Sequence, residues 1–228
     1  VIFLLAFFVI FFWGAFEQAG ASLTLFADRQ TERTVFGWEM PASYFQSVNP
    51  LAVIALAPIM TIVWGFLYAR KLEPSSPKKM AIGLGLVALG YVVIAIAVKG
   101  LGLGEKVSMW WLIGLYVIHT IGELCLSPIG LSMVSKLAPL RLSSLMMGTW
   151  FLANAAANKF AGTLSALIPG GEDGTGGATS FLGFQITNLY EFFILFIIMS
   201  GAAAAILFVL SSWLEKRMHN DHVEAKTE

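Results

Sequence analysis

Long apolar runs separated by short polar stretches dominate the chain. Six of them supply about 20 or more mostly apolar residues, enough for a helix to cross roughly 30 Å of hydrocarbon. They cover about 1–27, 44–69, 79–98, 107–137, 142–168 and 189–214. None alternates with a period of two, so the runs predict spanning helices rather than a barrel. The third, fourth and fifth connections carry Gly, Pro or charge, as surface segments do. The fifth, 169–183, is Gly-rich and acidic through Glu172 and Asp173. The pattern predicts one bundle over 1–214 and a short polar tail over 215–228, a solvated end rather than a domain. The first run has no basic start, so it reads as a spanning helix and not as a signal peptide. Because it opens inside an apolar run, we expect the chain to be a piece of something longer.

Composition strengthens this picture. Hydrophobic residues make up 57% of the 228 and charged residues 12%, and the mean hydropathy is +0.78. Ordinary globular proteins are roughly 25% charged. A soluble chain of this size could not hide so much apolar surface. The expected class is an all-α, multi-pass membrane protein. Lys+Arg and Asp+Glu are equal at 14 each, which leaves no basic excess for nucleic acid. Cys125 is the single cysteine, so no internal disulfide forms.

Lys and Arg are unevenly distributed over the two sides. One side collects Arg70, Lys71, Lys78, Lys79, Lys136, Arg141, Lys216, Arg217 and Lys226, and the other Arg29, Arg33, Lys99 and Lys106. The richer side is predicted to be cytoplasmic, with both ends of the segment there, in a cell (inner) membrane. Cysteine labels at Ser76 and Gly174 are then expected on opposite sides.

Ionisable groups inside a membrane are costly and mark functional candidates. Glu17 lies in the first run, His119 and Glu123 in the fourth, and Lys159 in the fifth. Lys159 can also snorkel outward. Glu191, at the start of the sixth run, reads as interfacial. Glu17 and Glu123 fall in the first helix of each three-helix half, which suggests two inverted three-helix repeats. The plainer alternative is two unrelated carboxylates hydrogen-bonded within the bundle. His119 and Glu123 are spaced i, i+4 and share a helix face, extended by Ser127. Pro128 then removes a backbone N–H and clashes with the carbonyl of Leu124. Two ligands are too few for a metal site, and no nucleophile with a base is found. No catalytic residue, metal or cofactor is therefore expected, and the chain is not read as an enzyme.

Asn49 sits beside Pro50 in the second run, which also holds Pro58; its amide suits either helix packing or a ligand contact. Trp150, Asn154 and Asn158 recur every four residues in the fifth run. Such a stripe can be packing glue or a contact for a small polar ligand. Gly201 and Ala205 give the last helix a small-residue face. Trp38, Trp110 and Trp111 near span ends fit an aromatic belt.

Four stretches resemble the proton-dependent oligopeptide transporter family. Phe12-Trp13-Gly14-Ala15-Phe16-Glu17-Gln18-Ala19-Gly20, with Phe26-Ala27-Asp28-Arg29, is similar to its seventh helix, and Phe45-Gln46-Ser47-Val48-Asn49-Pro50 to its eighth. Gly122-Glu123-Leu124-Cys125-Leu126-Ser127-Pro128-Ile129-Gly130 resembles the tenth, and Met147-Gly148-Thr149-Trp150-Phe151-Leu152 the eleventh. The resemblance covers essentially the whole chain, as the C-terminal six-helix half of a major-facilitator-type transporter. It implies a symporter that carries di- and tripeptides with protons, with no cofactor beyond the coupling ion. It assigns Glu17 and Glu123 to proton coupling and gating. It assigns Asn49, Glu123, Trp150, Phe151 and Asn154 to peptide binding. The partners implied are small peptides, protons, the lipid bilayer and an N-terminal six-helix half that supplies cations to Glu17 and Glu123. Without that half, this segment is not expected to transport. Proton-coupled transport of another small solute such as nitrate, or a non-transporting membrane subunit, are the rival readings.

Overall fold

The computed structural model describes residues 1–101, 105–169, 179–181 and 183–224. Glu172, Asp173 and Gly174 of the fifth connection, and 225–228 of the predicted tail, lie outside the described residues. The apolar runs form seven α-helices: α1 (Ile2–Phe16), α2 (Ser22–Gln30), α3 (Val48–Ala69), α4 (Ser76–Val98), α5 (Met109–Leu137), α6 (Ser143–Ser165) and α7 (Leu189–Glu224). There are seven rather than six because the first span is broken. A single 3-10 turn, Glu17–Gly20, follows α1, and Ala21 leaves the helix at φ −127°, ψ −103°.

Gly20, a poor helix former, weakens the helix here. Carbonyls freed within a membrane must find donors, and side chains of three other elements supply them. The Tyr91 hydroxyl of α4 donates to Ala15 O (2.7 Å), and that of Tyr116 of α5 to Ala19 O (3.2 Å). Thr24 Oγ1 also donates to Ala19 O, at 2.8 Å. Gln18 is wholly buried. Its Nε2 donates to Gly14 O (3.1 Å) and across to Ala161 O of α6 (3.0 Å), while its Oε1 accepts from Ser22 Oγ (2.5 Å).

Among the described residues, five helical segments are long and apolar enough to cross a membrane: Ile2–Gln30, Ala42–Ala69, Ser76–Val98, Met109–Leu137 and Leu189–Met218. The sixth expected span, α6, has 23 residues, about 35 Å of helix, but falls short in apolarity. Asn154, Asn158, Lys159 and several Ser and Thr residues dilute it. The second span opens with a 3-10 turn at Ala42–Ser47 and tolerates Pro58 inside α3. α5 runs unbroken through Pro128.

The last helix continues to Glu224, so the start of the predicted tail is helical. Side chains hold this extension: Arg217 lies over the Trp213 ring at 5.4 Å, and Lys78 approaches Glu215 at 3.9 Å. At the other end of α7, Asn188 Oδ1 accepts the Glu191 N–H (2.9 Å) and the Glu191 carboxylate accepts the Thr187 N–H (2.7 Å). Glu191 is therefore part of a helix cap, in keeping with its interfacial reading.

α4 lies between α5 and α7, α1 lies on α6, and α3 rests on α5. Exchanging the two three-span halves would map the α3–α5 contact onto the α1–α6 contact, with α4–α7 on the axis. Small residues set the closest crossings. A Cβ on Gly83 would stand 2.7 Å from Gly122 O, and one on Gly122 would stand 2.8 Å from Gly83 O, so α4 and α5 touch backbone to backbone. Across the α4–α7 seam, Gly85 faces Ala204 and Gly201 faces Ala88, each at 3.9 Å. The small-residue face of α7 is thus Gly201 with Ala204, spaced i, i+3; Ala205 is exposed. Tyr91 stacks on Phe196 (4.7 Å), and Phe26 meets Phe193 edge-on (5.4 Å), joining α2, α4 and α7.

The connections contain three short strand pairs, a small departure from an all-α chain. β1 (Thr31–Glu32) runs parallel to β4 (Val107–Ser108). β2 (Thr34–Val35) and β3 (Trp38–Glu39) form a hairpin. Its turn residues Phe36 and Gly37 both have positive φ (49° and 82°), as a type I′ turn demands. β5 (Thr179–Phe181) pairs with β6 (Phe184–Ile186). Arg33 clasps the first hairpin, donating to Asp28 Oδ1 (2.8 Å) and Met40 O (2.7 Å), with Glu39 at 3.1 Å. In the same region, hydrogen bonds from Thr34 hold the Glu32 carboxyl below its usual range. The β1–β4 pair puts the end of α2 beside the start of α5. The Lys78–Glu215 contact puts the start of α4 beside the C-terminal part of α7. This is the alternation of sides that six crossings require.

Candidate functional site

Polar groups from three spans meet where the first span breaks. Asn49 stands in the first turn of α3, where Pro50 is tolerated because its missing N–H would have no helical partner. Its Nδ2 donates to Glu123 Oε2 at 2.9 Å and to Thr120 Oγ1 at 3.0 Å, both on α5. Thr120 Oγ1 in turn donates to Tyr116 O at 2.8 Å. Glu17 is half-buried at the break, near enough to Glu123 for the two charges to repel. The structure therefore brings together Glu17, Asn49 and Glu123, three residues singled out from sequence. Thr120 completes the cluster and was missed, because a threonine in an apolar helix carries no signal of its own.

No ion pair reaches Glu17 or Glu123 among the described residues; the four present involve Arg33, Lys78 and Lys79. The cluster holds two acids and no cation. It can accept hydrogen bonds from an ammonium, exchange a proton, or pair with a basic side chain from another element.

His119 does not join this cluster despite its i, i+4 spacing from Glu123. Its ring is buried between Phe16 and Tyr91, with Nε2 3.1 Å from Val87 O of α4. Gly90 makes the room: a Cβ there would lie 2.4 Å from His119 Cδ2. Ser127 is half-buried one turn beyond Glu123. Among the described residues, no group of three or more His, Cys, Asp or Glu could hold a metal.

The fifth span is placed differently. Trp150 is buried with its indole packed on the α5 backbone; a Cβ at Gly130 would lie 2.4 Å from its Cζ2. That contact lies seven residues, about two turns, beyond Glu123. Phe151 is 56% exposed. Asn154 is half-buried, and its Oδ1 has no hydrogen-bond partner among the described residues. Asn158 and Lys159 are exposed. The stripe is thus graded from core to surface, and only its Trp is a packing residue.

A cavity of about 630 Å³ opens between α3, α4 and α5 at the Lys-rich end. It begins on α5 at Leu124 and Pro128, just past Glu123, and runs to Lys136 and Leu137. Lys79 pairs with Glu73 at its margin and stands 4.4 Å from the Trp64 ring centre.

The POT family model matches residues 1–176. Over 170 residues the chain is 42% identical to Peptide transporter YePEPT of Yersinia enterocolitica subsp. palearctica serotype O:3 (strain YE-P4), covering 74% of this chain and 33% of that protein. Over 173 residues it is 34% identical to Dipeptide and tripeptide permease A of Proteus mirabilis (strain HI4320), covering 76% and 35%. Among solved structures, it is similar to a mutant of peptide transporter POT in complex with alafosfalin, with a TM-score of 0.79 and 30% identity over 96% of this chain and 41% of that one. It is also similar to a POT family transporter in complex with 5-aminolevulinic acid, with a TM-score of 0.75 and 33% identity over 92% and 40%. The chain thus spans between a third and two fifths of the length of these relatives.

Proposed function

Because the chain belongs to the POT family, we propose that it forms the C-terminal six-helix half of a proton-coupled symporter for di- and tripeptides. The observation that carries this reading is the Asn49–Glu123 pair beside Glu17, a polar, cation-free cluster at the break of a spanning helix. A dipeptide and 5-aminolevulinic acid share a primary ammonium, the group that such a cluster receives. Glu123 and Asn49 bind that ammonium from α5 and α3. Glu17 and Glu123 exchange the proton. Each carboxylate holds either a proton or a cation, so protonation releases a partner and biases the gate between two states. The N-terminal half supplies the cations that face them and the opposite wall of the peptide site.

Uptake of a dipeptide by the twelve-helix protein in liposomes tests the reading. Accumulation should require an inward proton gradient, and nitrate should neither compete nor be carried. Accumulation without a gradient would overturn the coupling, and uptake of nitrate in place of peptide would overturn the substrate.

We place both ends of the segment on the cytoplasmic side, in the inner membrane, from the Lys and Arg asymmetry. Cysteine at Phe36, the exposed tip of the first hairpin, is expected to label from outside only. Cysteine at Leu72, exposed between α3 and α4, is expected to label only once the cytoplasmic face is opened. Labelling of both from one side would overturn the six crossings.

Trp150, Phe151 and Asn154 contribute a side-chain pocket in this reading. Trp150→Ala is expected to weaken dipeptide affinity by about tenfold, a loss of some 1.4 kcal/mol. It should also lower the thermal midpoint, because the ring fills the α5–α6 seam and truncating a buried Trp costs about 3–5 kcal/mol. Equal peptide affinity in wild type and Trp150→Ala, by equilibrium binding, would take α6 out of the site.

A further inference from the structure

We infer that Thr120 is a positioning residue for the substrate ammonium, because it fixes which way round the Asn49 amide sits. The inference rests on the peptide reading above and adds a residue to it. Thr120 is fully buried. Its hydroxyl has one hydrogen, and that hydrogen goes to Tyr116 O at 2.8 Å. Its oxygen can then only accept. The Asn49 group 3.0 Å away must be an N–H donor. Glu123 Oε2, 2.9 Å from the same nitrogen, is an acceptor when ionised. Both hydrogens of Nδ2 are thereby spent on α5. A flipped amide would set its oxygen against two acceptors, so the flip is closed.

The consequence falls on the other end of the amide. With both Nδ2 hydrogens held against α5, Oδ1 is the amide atom left to accept, a second acceptor alongside the Glu123 carboxylate. Two acceptors on adjacent helices suit an ammonium, which brings three hydrogens and takes none. Thr120 touches no substrate in this arrangement. It acts through Asn49, and removing its hydroxyl leaves the carboxylate alone to orient the amide.

The test uses the twelve-helix protein and two probes, Ala-Ala and N-acetyl-Ala-Ala, which differ in the charged amine. Wild type should bind Ala-Ala the more tightly. Thr120→Val keeps the shape and loses the hydroxyl. It is expected to weaken Ala-Ala binding by about tenfold, the size of one buried hydrogen bond left unmade, and to leave N-acetyl-Ala-Ala within about twofold. Thr120→Ser should restore the preference. If Thr120→Val does not fold, Thr120→Ala is read in the same assay. Equal losses for both probes, no loss for either, or no rescue by Ser would each overturn the inference while the peptide reading stands. A wild type that binds both probes alike overturns it too, because the amine would then go unread. A wild type that binds no peptide overturns the peptide reading and the inference with it.

Discussion

Glu123→Gln in the twelve-helix protein should abolish accumulation of peptide driven by a proton gradient. Counterflow exchange, which needs no net proton movement, should survive in part. The side chain keeps its length and its capacity for hydrogen bonds, but its charge is fixed at zero. Asn49 can still donate to the new amide oxygen, so the 2.9 Å contact has a neutral replacement. What disappears is the choice between a proton and a cation. A charge at the middle of a membrane is worth roughly 3 kcal/mol on insertion scales, which is the lever that the proton would otherwise supply. Uptake against a gradient at the wild-type level in Glu123→Gln would reduce this residue to a buried structural acid, and coupling would move to Glu17 or to the other half.

Gly122→Val should be the most damaging substitution in the packing of the bundle. Its Cβ would stand 2.8 Å from the Gly83 carbonyl oxygen and 3.3 Å from Leu86 Cβ. The obstacle is backbone, which cannot rotate out of the way. Overpacking a close-packed core costs about 1–3 kcal/mol, and two further methyls at a backbone crossing place this change at the upper end. The reciprocal Gly83→Val is expected to behave alike, because its Cβ would stand 2.7 Å from the Gly122 carbonyl oxygen. Gly114, also on α5, has no atom within 4 Å of the place where a Cβ would go. Gly114→Ala is therefore the matched control. Thermal melting of the detergent-solubilised protein should show a drop of several degrees for the first two and little change for the third. An unchanged midpoint in Gly122→Val would mean that α4 and α5 cross elsewhere.

Hydropathy located the first five spans to within a few residues, because every crossing needs a minimum apolar length. It could not show the break in the first span. That break depends on donors from distant helices, the hydroxyls of Tyr91 and Tyr116, whose partners no local pattern reveals. The charged residues were the legible part of the site. Glu17 and Glu123 stand out because each is an exception in an apolar run, and their proximity is a consequence of folding. His119 stood out for the same reason, yet it belongs to a packing seam, with its ring between Phe16 and Tyr91 and its Nε2 beside the Val87 carbonyl. Thr120 and Gln18 are ordinary residues whose importance lies in which atom they face. The last helix continues beyond the apolar run through Glu215 to Arg217, which contact Lys78 and Trp213.

The pairing of Thr31 with Val107 and of Glu32 with Ser108 joins two spans that are far apart in sequence. These residues sit at the ends of the first and fourth crossings, one arm ending in α2 and the other beginning α5. The two-residue ladder ties the two tips together as a short crossbar. The interrupted turn at Glu17–Gly20 lies below that crossbar, and short 3-10 stretches within helices are common hinge points. Bending there swings α2 only as far as α5 goes with it.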